Sequence, residues 1–283
     1  MPTLLDVPAP AKLNLFLHVT GRRSDGYHLL QSLFTFIDWH DTLHFDCRAD
    51  GVISREDLQP STELPADDLI VRAARRLQAA TGCTLGVHIG LHKTIPMQAG
   101  LGGGSSDAAS TLIALNRLWN LGLSRAQLSE LGLSLGADVP FFIGGRSAWV
   151  EGVGDVITPL DVPPTTYLVV KPPAGLSTPE IFSHPSLKRD TERDTIAGFV
   201  ARAAQEARWH GSNDLQPVAE MLCADVRWGI VELAKRGLDG RMTGSGSAMF
   251  APCTHDTPAD GWPDGWLARV CNNFNVHPLF GWC

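Results

Sequence analysis

A short glycine-rich segment between Pro96 and Ser106 constrains the fold of this chain more than any other feature of its sequence. An apolar stripe at helical spacing follows directly, from Ala108 to Trp119, so the glycines lead into the N-terminus of a helix. Missing Cβ atoms let a ligand approach the backbone, and the free N–H groups and helix dipole attract anions. A tight turn alone needs fewer glycines, and the segment therefore predicts a phosphate-binding loop suited to a triphosphate. Its glycines are Gly100, Gly102, Gly103 and Gly104.

Two common phosphate-binding motifs do not fit this segment. A Walker A loop requires a lysine after the last glycine, whereas Ser105 follows Gly104 here. A dinucleotide fingerprint requires glycines at positions i, i+2 and i+5, and Ser105 or Asp107 occupies the last of these. The sequence also has no G-x-S-x-G nucleophile motif and no H-E-x-x-H zinc motif. The loop therefore belongs to another class of phosphate-binding site.

Length and charge exclude several function classes. The 283 residues suffice for two domains or one large one, at roughly 150 residues per domain. The formal net charge is -7 and the basic residues are scattered, so we expect no nucleic-acid partner. Without a signal-peptide pattern or an apolar run of about 18 to 20 residues, we expect a cytoplasmic protein with no membrane partner. The six cysteines lie far apart and predict buried, reduced thiols. The oligomeric state is left open.

The N-terminal residues have the alternating pattern of β-strands. Apolar residues at every second position predict a strand over 11–20, and a second apolar run predicts a strand over 29–37. Because side chains two residues apart project from the same face of a strand, Lys12 and Asn14 are expected to lie side by side. The polar residues between the two strands predict a loop.

Helix signals flank the glycine-rich segment on both sides. Asp68 precedes a helical apolar pattern that ends near Gly82, a common residue at helix C-termini. Ser124 and Gln127 have the spacing of a capping box and predict the start of another helix. The helical pattern then breaks, and Asp138 is expected to lie in a loop.

Seven motifs spread over almost the whole chain resemble those of the GHMP kinases, which include galactokinase, homoserine kinase and mevalonate kinase. The residues from Pro96 to Ser106 resemble the P-x-x-x-G-L-G-S-S signature of that superfamily. The first two motifs make the resemblance closest to members of the non-mevalonate isoprenoid pathway, which phosphorylate a cytidylylated methylerythritol. The motifs occupy residues 10–17, 21–28, 96–106, 136–140, 178–182, 213–215 and 242–246.

The resemblance implies an α+β fold with two lobes around a central cleft. An N-terminal nucleotide-binding domain is expected over 1–160 and a C-terminal substrate-binding domain over 161–283. Prolines cluster between Asp155 and Tyr167, as is typical of a boundary between domains.

The resemblance also implies a phosphotransferase that moves the γ-phosphoryl group of ATP to the tertiary 2-hydroxyl of the methylerythritol. A tertiary alcohol is a poor nucleophile, so a base and a nearby positive charge suit the reaction. Asp138 and Lys12 match the catalytic pair of the family. Without the resemblance, Asp138 would be interpreted as a turn residue and Lys12 as a strand lysine that extends to solvent.

Further residues match the family's substrate contacts. Asn14 is expected to hydrogen-bond the substrate beside Lys12. Tyr27 and Phe182 could stack on the two faces of the cytosine while His28 contacts its edge. Thr178 belongs to the same motif as Phe182 and is included among the expected substrate contacts.

ATP is the implied phosphoryl donor, and Mg²⁺ its implied partner because that ion bridges the β- and γ-phosphate oxygens. No metal ligand is assigned, although Ser106 and Asp107 lie at the helix start near the expected phosphates. Asp68 departs from the family pattern, in which asparagine is common at the adenosine end of the site. The expected nucleotide contacts are Lys93, Pro96, Gly100, Leu101, Gly102, Gly103, Gly104, Ser105 and Ser106.

Two other functions remain open from the sequence. A GHMP kinase for a different small alcohol would share the glycine-rich loop, and it would not turn over a cytidine-containing substrate. A catalytically silent binding protein on the same fold is the second alternative. The presence of Lys12 and Asp138 beside an intact loop argues against the silent protein, and an assay of ADP release distinguishes all three.

Overall fold

Two long antiparallel strands, β1 (Thr3–Arg22) and β2 (His28–Arg48), form the largest pairing in the computed structural model. The structure describes residues 1–59, 64–206, 208–209 and 211–283. Both strands extend well beyond the predicted ranges 11–20 and 29–37. Residues 9–17 of β1 are buried on both faces, including the polar side chains of Lys12 and Asn14, although the sequence of this part alternates.

A mixed ten-stranded sheet forms around this pair, with the neighbour order β3-β4-β2-β10-β7-β9-β8. β1 and β5 pair with β2 outside that path, and β6 pairs with β5. β10 joins the two halves of the sheet, because it pairs with β2 at Phe274 and with β7 along most of its length. The remaining strands are β3 (Ile53–Asp57), β4 (Gly86–His92), β5 (Ala148–Gly152), β6 (Val156–Pro159), β7 (Thr166–Lys171), β8 (Arg241–Met242), β9 (Met249–Cys253) and β10 (Leu267–Phe274).

The helices pack against this sheet and begin and end largely at the expected capping residues. The Asp68 carboxylate accepts a hydrogen bond of 3.0 Å from Val71 N at the start of α1, which ends at Gly82 with a φ of 64°. The capping box of Ser124 and Gln127 is present at the start of α3. The helices are α1 (Leu69–Thr81), α2 (Gly103–Leu118), α3 (Arg125–Leu133), α4 (Val139–Gly144), α5 (Thr178–Ser183), α6 (Ile196–Glu206), α7 (Gln216–Leu222) and α8 (Ala224–Lys235).

The apolar core is divided among three clusters. The first packs α1, α2 and α4 against β2 and β4, and it contains Phe36, Phe45 and Leu112. The second surrounds Phe16 and Trp149, and the third packs α7 and α8 on β7 and β9. The helix α2 is buried from Ser106 to Asn116, while its first residues, Gly103 to Ser105, are more exposed. Helices and a large mixed sheet together confirm the predicted α+β class.

Two further expectations concern membrane spans and cysteines. Over the ranges that the structure describes, no helix has the length and apolarity to cross a bilayer. All six cysteines are free, as expected. Cys47, Cys223 and Cys271 are buried, Cys83 and Cys253 are partly exposed, and Cys283 is exposed, so the expectation of burial is confirmed for only three of the six.

Candidate active site

A cleft of about 1210 Å³ collects the expected site residues from both halves of the sequence. Its walls include the glycine-rich loop, the middle of β1, the loop before β2, and α5. Of all the expected contacts, only Ser106 does not line it. The residues that do are Lys12, Asn14, Tyr27, His28, Lys93, Pro96, Gly100, Leu101, Gly102, Gly103, Gly104, Ser105, Asp138, Thr178 and Phe182.

Lys12 is buried at the base of this cleft, with 3 % of its side chain exposed. Its ammonium lies 3.7 Å from Asp138 Oδ2 and 4.8 Å from the centre of the Phe34 ring. It also donates a hydrogen bond to Asn14 Oδ1, so the two side chains lie together as the strand pattern predicts. Burial lowers the pKa of Lys12, and the Asp138 carboxylate opposes that shift. The interpretation of Lys12 as a solvated strand lysine is therefore wrong.

Asp138 lies immediately before α4, where the sequence pattern predicted a continuing loop. Pro140 occupies the first turn of that short helix, a position where its missing N–H costs nothing. The side chain of Asp138 makes no capping hydrogen bond to α4 and is 34 % exposed. Its carboxylate is therefore available to the cleft and faces the ammonium of Lys12.

The glycine-rich loop accepts backbone hydrogen bonds from the middle of β1 and from the residue before β9. Lys12 N donates to Leu101 O at 2.9 Å, and Ala248 N donates to Ala99 O at 3.1 Å. Gly100 has a φ of +72°, and a Cβ on it would lie 2.2 Å from Thr243 O. Only glycine fits at position 100, and this close approach lets residues 243–246 pack against the loop.

The start of α2 presents free backbone N–H groups to the cleft. Gly102 precedes the helix, so the amides of Gly103, Gly104 and Ser105 have no intrahelical acceptor. Ser106 N instead donates to Gly102 O at 2.9 Å, and the whole residue is buried. Ser106 therefore lies beneath the loop, one residue too far into the helix for its amide to contact a ligand in the cleft.

Lys93 lies under the loop in a buried cluster with two carboxylates. Its ammonium is 2.7 Å from Asp107 Oδ2 and also contacts Asp41. Asp41 accepts further hydrogen bonds from Thr94 N and Ile95 N, at 2.6 and 2.8 Å. Burial raises the pKa of Asp107 to about 8, against the opposing charge of Lys93. Two acids share one ammonium, so the cluster has an excess negative charge only when Asp107 is ionised.

Sequence reasoning did not identify Asp41, which has no motif around it. Asp41 is one of three aspartates in the second half of β2, and nothing in the sequence distinguishes it from the other two. A Cβ on Gly103 would lie 3.1 Å from Lys93 Nζ, so this glycine faces the buried cluster. Gly104 has only Leu69 Cδ1 near its Cβ position, at 3.4 Å, and faces the open cleft. The two neighbouring glycines therefore have different roles.

At the other end of the cleft, aromatic residues meet from both halves of the sequence. The rings of His28 and Phe182 are 4.9 Å apart between centroids and inclined by 32°. Tyr27 is 66 % exposed beside them. Thr178 Oγ1 lies 2.6 Å from Ser245 Oγ, which connects α5 to the 243–246 segment. Arg189, which the sequence analysis did not single out, donates to His28 Nε2 at 3.1 Å.

Asp68 has a structural role that accounts for its charge. In addition to capping α1, Asp68 forms an ion pair with Arg55, with 3.1 Å between Asp68 Oδ2 and Arg55 Nη1. The same guanidinium nitrogen lies 2.9 Å from Asp57 Oδ1. Burial raises the pKa of Asp68 while Val71 N–H and Arg55 oppose that shift. Asp68 also lines the cleft near Leu69 and Gly104.

Comparisons with known proteins agree with this geometry. The N-terminal domain of the GHMP kinases matches residues 68–146. The chain is 62% identical over 286 aligned residues to the 4-diphosphocytidyl-2-C-methyl-D-erythritol kinase of Acidovorax sp. (strain JS42), covering 100% of this chain and 99% of that protein. A crystal structure of 4-(cytidine 5'-diphospho)-2C-methyl-D-erythritol kinase has a TM-score of 0.75 and 33% identity, covering 96% of this chain and 99% of that one. Homoserine kinase from Cytophaga hutchinsonii shares the fold, with a TM-score of 0.68 at 16% identity, over 98% of this chain and 96% of its own.

Proposed function

The chain belongs to the 4-diphosphocytidyl-2-C-methyl-D-erythritol kinases, a branch of the GHMP kinases, and we propose that its Asp138 and Lys12 carry the phosphoryl transfer. The enzyme uses ATP to phosphorylate the 2-hydroxyl of 4-diphosphocytidyl-2-C-methyl-D-erythritol in the non-mevalonate isoprenoid pathway. The observation that carries the assignment of residues is the 3.7 Å contact between Lys12 and Asp138 in the cleft that also contains the start of α2.

The two charged side chains have complementary tasks. The tertiary hydroxyl must lose its proton as it attacks the γ-phosphorus, and the partly exposed Asp138 carboxylate accepts that proton. The buried Lys12 ammonium remains beside the reacting oxygen and offsets the negative charge that develops there. Asn14 holds the ammonium through its amide oxygen, so it is proposed to orient Lys12 as well as to contact substrate.

The phosphates of ATP are proposed to lie at the start of α2. The free amides of Gly103, Gly104 and Ser105 and the positive end of the helix dipole favour negative charge there. Gly104 has no Cβ on the cleft side, which lets phosphate oxygens approach the backbone. The other proposed nucleotide contacts are Lys93, Pro96, Gly100, Leu101 and Gly102.

Mg²⁺ is proposed to accompany ATP, and two buried oxygens fit such a cation. Ser106 Oγ and Asp107 Oδ1 have no hydrogen-bond partner in the described part of the chain. Ionisation of Asp107 would also leave the cluster of Lys93, Asp41 and Asp107 with an excess negative charge, which a bound cation would balance. When bound, Mg²⁺ would neutralise charge on the β- and γ-phosphate oxygens. Asp107 is the proposed acid on the protein side.

The base of the substrate is proposed to lie beside α5. Tyr27 and Phe182 provide aromatic surfaces that can stack on cytosine, and His28 contacts the edge of the base. Thr178 is proposed to contact the substrate near Ser245. Because Tyr27 and Phe182 come from different halves of the chain, this part of the site depends on the assembled cleft.

We also propose the division into a nucleotide-binding domain over 1–160 and a substrate-binding domain over 161–283. The boundary falls between β6, which ends at Pro159, and β7, which begins at Thr166. Residues from both sides of that boundary line the cleft.

The function is tested by coupling ADP release to a panel of alcohols. We expect ADP formation with ATP and 4-diphosphocytidyl-2-C-methyl-D-erythritol, and none with homoserine or mevalonate in its place. Turnover of another alcohol without turnover of the cytidylylated one would indicate a different GHMP kinase. ATP binding with no ADP formation on any substrate would indicate a silent binding protein.

A further inference from the structure

The guanidinium of Arg189 connects two residues of the proposed base site that lie far apart in the sequence. Its Nε donates to His28 Nε2 at 3.1 Å, and its Nη2 donates to Phe182 O at 3.0 Å and to His184 O at 2.8 Å. Nη1 donates to Leu187 O at 2.9 Å. The side chain is thus fixed at four acceptors, and only one of them is an imidazole nitrogen.

This contact determines which nitrogen of His28 holds the proton. An arginine guanidinium is always protonated and can only donate hydrogen bonds, so His28 Nε2 must accept. Burial, Arg189 and Arg22 all lower the pKa of His28, and the ring is therefore neutral near pH 7. A neutral imidazole has one N–H, which must then be at Nδ1.

The remaining nitrogen of His28 is available to a ligand. His28 lines the cleft, and within the described ranges its Nδ1 contacts no hydrogen-bond acceptor of the protein. We propose that Arg189 is a positioning residue that keeps His28 as an Nδ1–H donor and thereby makes the base site prefer cytosine over uracil. This inference deepens the proposed function and rests on its placement of the base at His28.

The preference follows from the hydrogen-bonding edges of the two pyrimidines. Cytosine has an unprotonated ring nitrogen, N3, which accepts a hydrogen bond, whereas N3 of uracil bears a proton. The Nδ1–H of His28 can therefore donate to N3 of cytosine, whereas it would face another donor at N3 of uracil. If the proton moved to Nε2, Nδ1 would become an acceptor, and the preference for cytosine would weaken or reverse.

The tautomer can be measured without any assumption about the reaction. In ¹⁵N-labelled protein, protonated and unprotonated imidazole nitrogens have well-separated chemical shifts, and comparison with His28→Gln assigns the His28 signals among the ten histidines. We expect a protonated Nδ1 and an unprotonated Nε2 in the unmodified protein, and an increased Nε2–H population in Arg189→Met. A protonated Nε2 in the unmodified protein would overturn the inference, even if the variant failed to fold.

The consequence for specificity is measured with the natural substrate and its uridylyl analogue. Arg189→Met should raise KM for the cytidylylated substrate about tenfold, as expected for loss of about one hydrogen bond, and reduce the cytosine preference in kcat/KM by a similar factor. kcat and the KM for ATP should stay unchanged. Arg189→Lys should restore part of the preference, because lysine can donate to His28 Nε2 but cannot contact all four acceptors.

Arg193→Met is the matched control. Arg193 lies four residues after Arg189, is 65% exposed and pairs with Glu151 at 2.8 Å. Arg193→Met therefore removes one positive charge without removing any contact to His28. The control should preserve the cytosine preference. If Arg189→Met raises KM equally for both pyrimidine substrates, Arg189 supports the loop without selecting a tautomer, and the inference is wrong. If the unmodified enzyme turns over neither pyrimidine substrate, the proposed function fails, and the ¹⁵N spectra still decide the tautomer.

Discussion

Lys12 and Asp138, one on the first strand and one before α4, face each other with 3.7 Å between ammonium and carboxylate. The lysine is buried and the aspartate partly exposed, so the pair has an inner ammonium and an outer carboxylate. This arrangement suits a reaction in which a proton leaves a substrate hydroxyl and negative charge develops on its oxygen.

Lys12→Met should separate the catalytic role of the ammonium from its effect on stability. We expect kcat to fall by about 10² or more, because the charge at the reacting oxygen is lost. The melting temperature should stay equal or rise, because methionine has a similar volume to lysine but no charge to bury. The partly exposed Asp138 carboxylate can stay hydrated without its partner. Thermal unfolding and steady-state kinetics measure the two effects. A less stable variant with near-normal kcat would assign Lys12 to the fold alone.

The two neighbouring glycines of the loop should respond differently to the same substitution. Gly104→Val adds a side chain on the cleft side and should raise KM for ATP about tenfold, equivalent to about 1.4 kcal/mol. KM for the cytidylylated substrate and the melting temperature should barely change. Gly103→Val is the matched comparison, because its Cβ would lie 3.0 Å from Ile95 Cγ2 and 3.1 Å from Lys93 Nζ. It should lower stability. Identical behaviour of both variants would contradict the proposed position of the phosphates.

Tyr27→Ala tests the stacking surface at the base. The lost ring is worth roughly 1 to 3 kcal/mol per stacked base, which corresponds to a rise in KM of about 5- to 150-fold for the cytidylylated substrate. Because Tyr27 is 66 % exposed, its removal should cost little stability. KM for ATP should not change. A rise in KM for ATP alone would place the adenine, and not the cytosine, at Tyr27.

The buried His277 predicts a specific dependence of stability on pH. Burial and Arg125 lower its pKa to about 3 from the ordinary 6.5. As pH falls from 6.5 towards 3, the unfolded chain binds a proton that the folded ring does not, so stability is lost in that window at about 1.4 kcal/mol per pH unit. Above pH 6.5 the ring is neutral in both states and contributes no slope.

His277→Asn should remove this contribution while its amide oxygen can still accept from Leu279 N, as His277 Nδ1 does at 3.0 Å. Urea unfolding at several pH values compares the two proteins. The variant should gain relative stability as the pH is lowered from 6.5. Parallel curves would show that His277 has the same proton affinity folded and unfolded.

Local signals explain which features of the fold could be predicted. The caps of α1 at Asp68 and Gly82 involve residues within a few positions of the helix ends, so sequence alone contains the necessary information. Asp138 lies in a turn, as the sequence predicts, but the helix α4 directly after it has only six residues, too few for a helical period to be recognised. The extra length of β1 could not be predicted because residues 3–10 lack apolar–polar alternation and include Pro8 and Pro10, which are uncommon within strands.

In the candidate site as well, some features follow from residues close in sequence, whereas others depend on contacts between distant parts of the chain. The position of Lys12 beside Asn14 follows from strand geometry, and the amides at the start of α2 follow from the glycines. The cluster of Asp41, Lys93 and Asp107 depends on how β2, β4 and α2 pack, which no local pattern determines. Arg189 likewise contacts His28 across the fold.

Asp138→Asn is the most direct test of the account, because asparagine keeps the size and shape of the side chain but removes the carboxylate that would accept the proton. ADP release in the presence of 4-diphosphocytidyl-2-C-methyl-D-erythritol measures turnover, and equilibrium titration measures ATP affinity in the same folded variant. We expect kcat to fall by a factor of about 10² or more while ATP binds as tightly as before. A folded Asp138→Asn enzyme with near-normal kcat would contradict the assignment of Asp138 as the base.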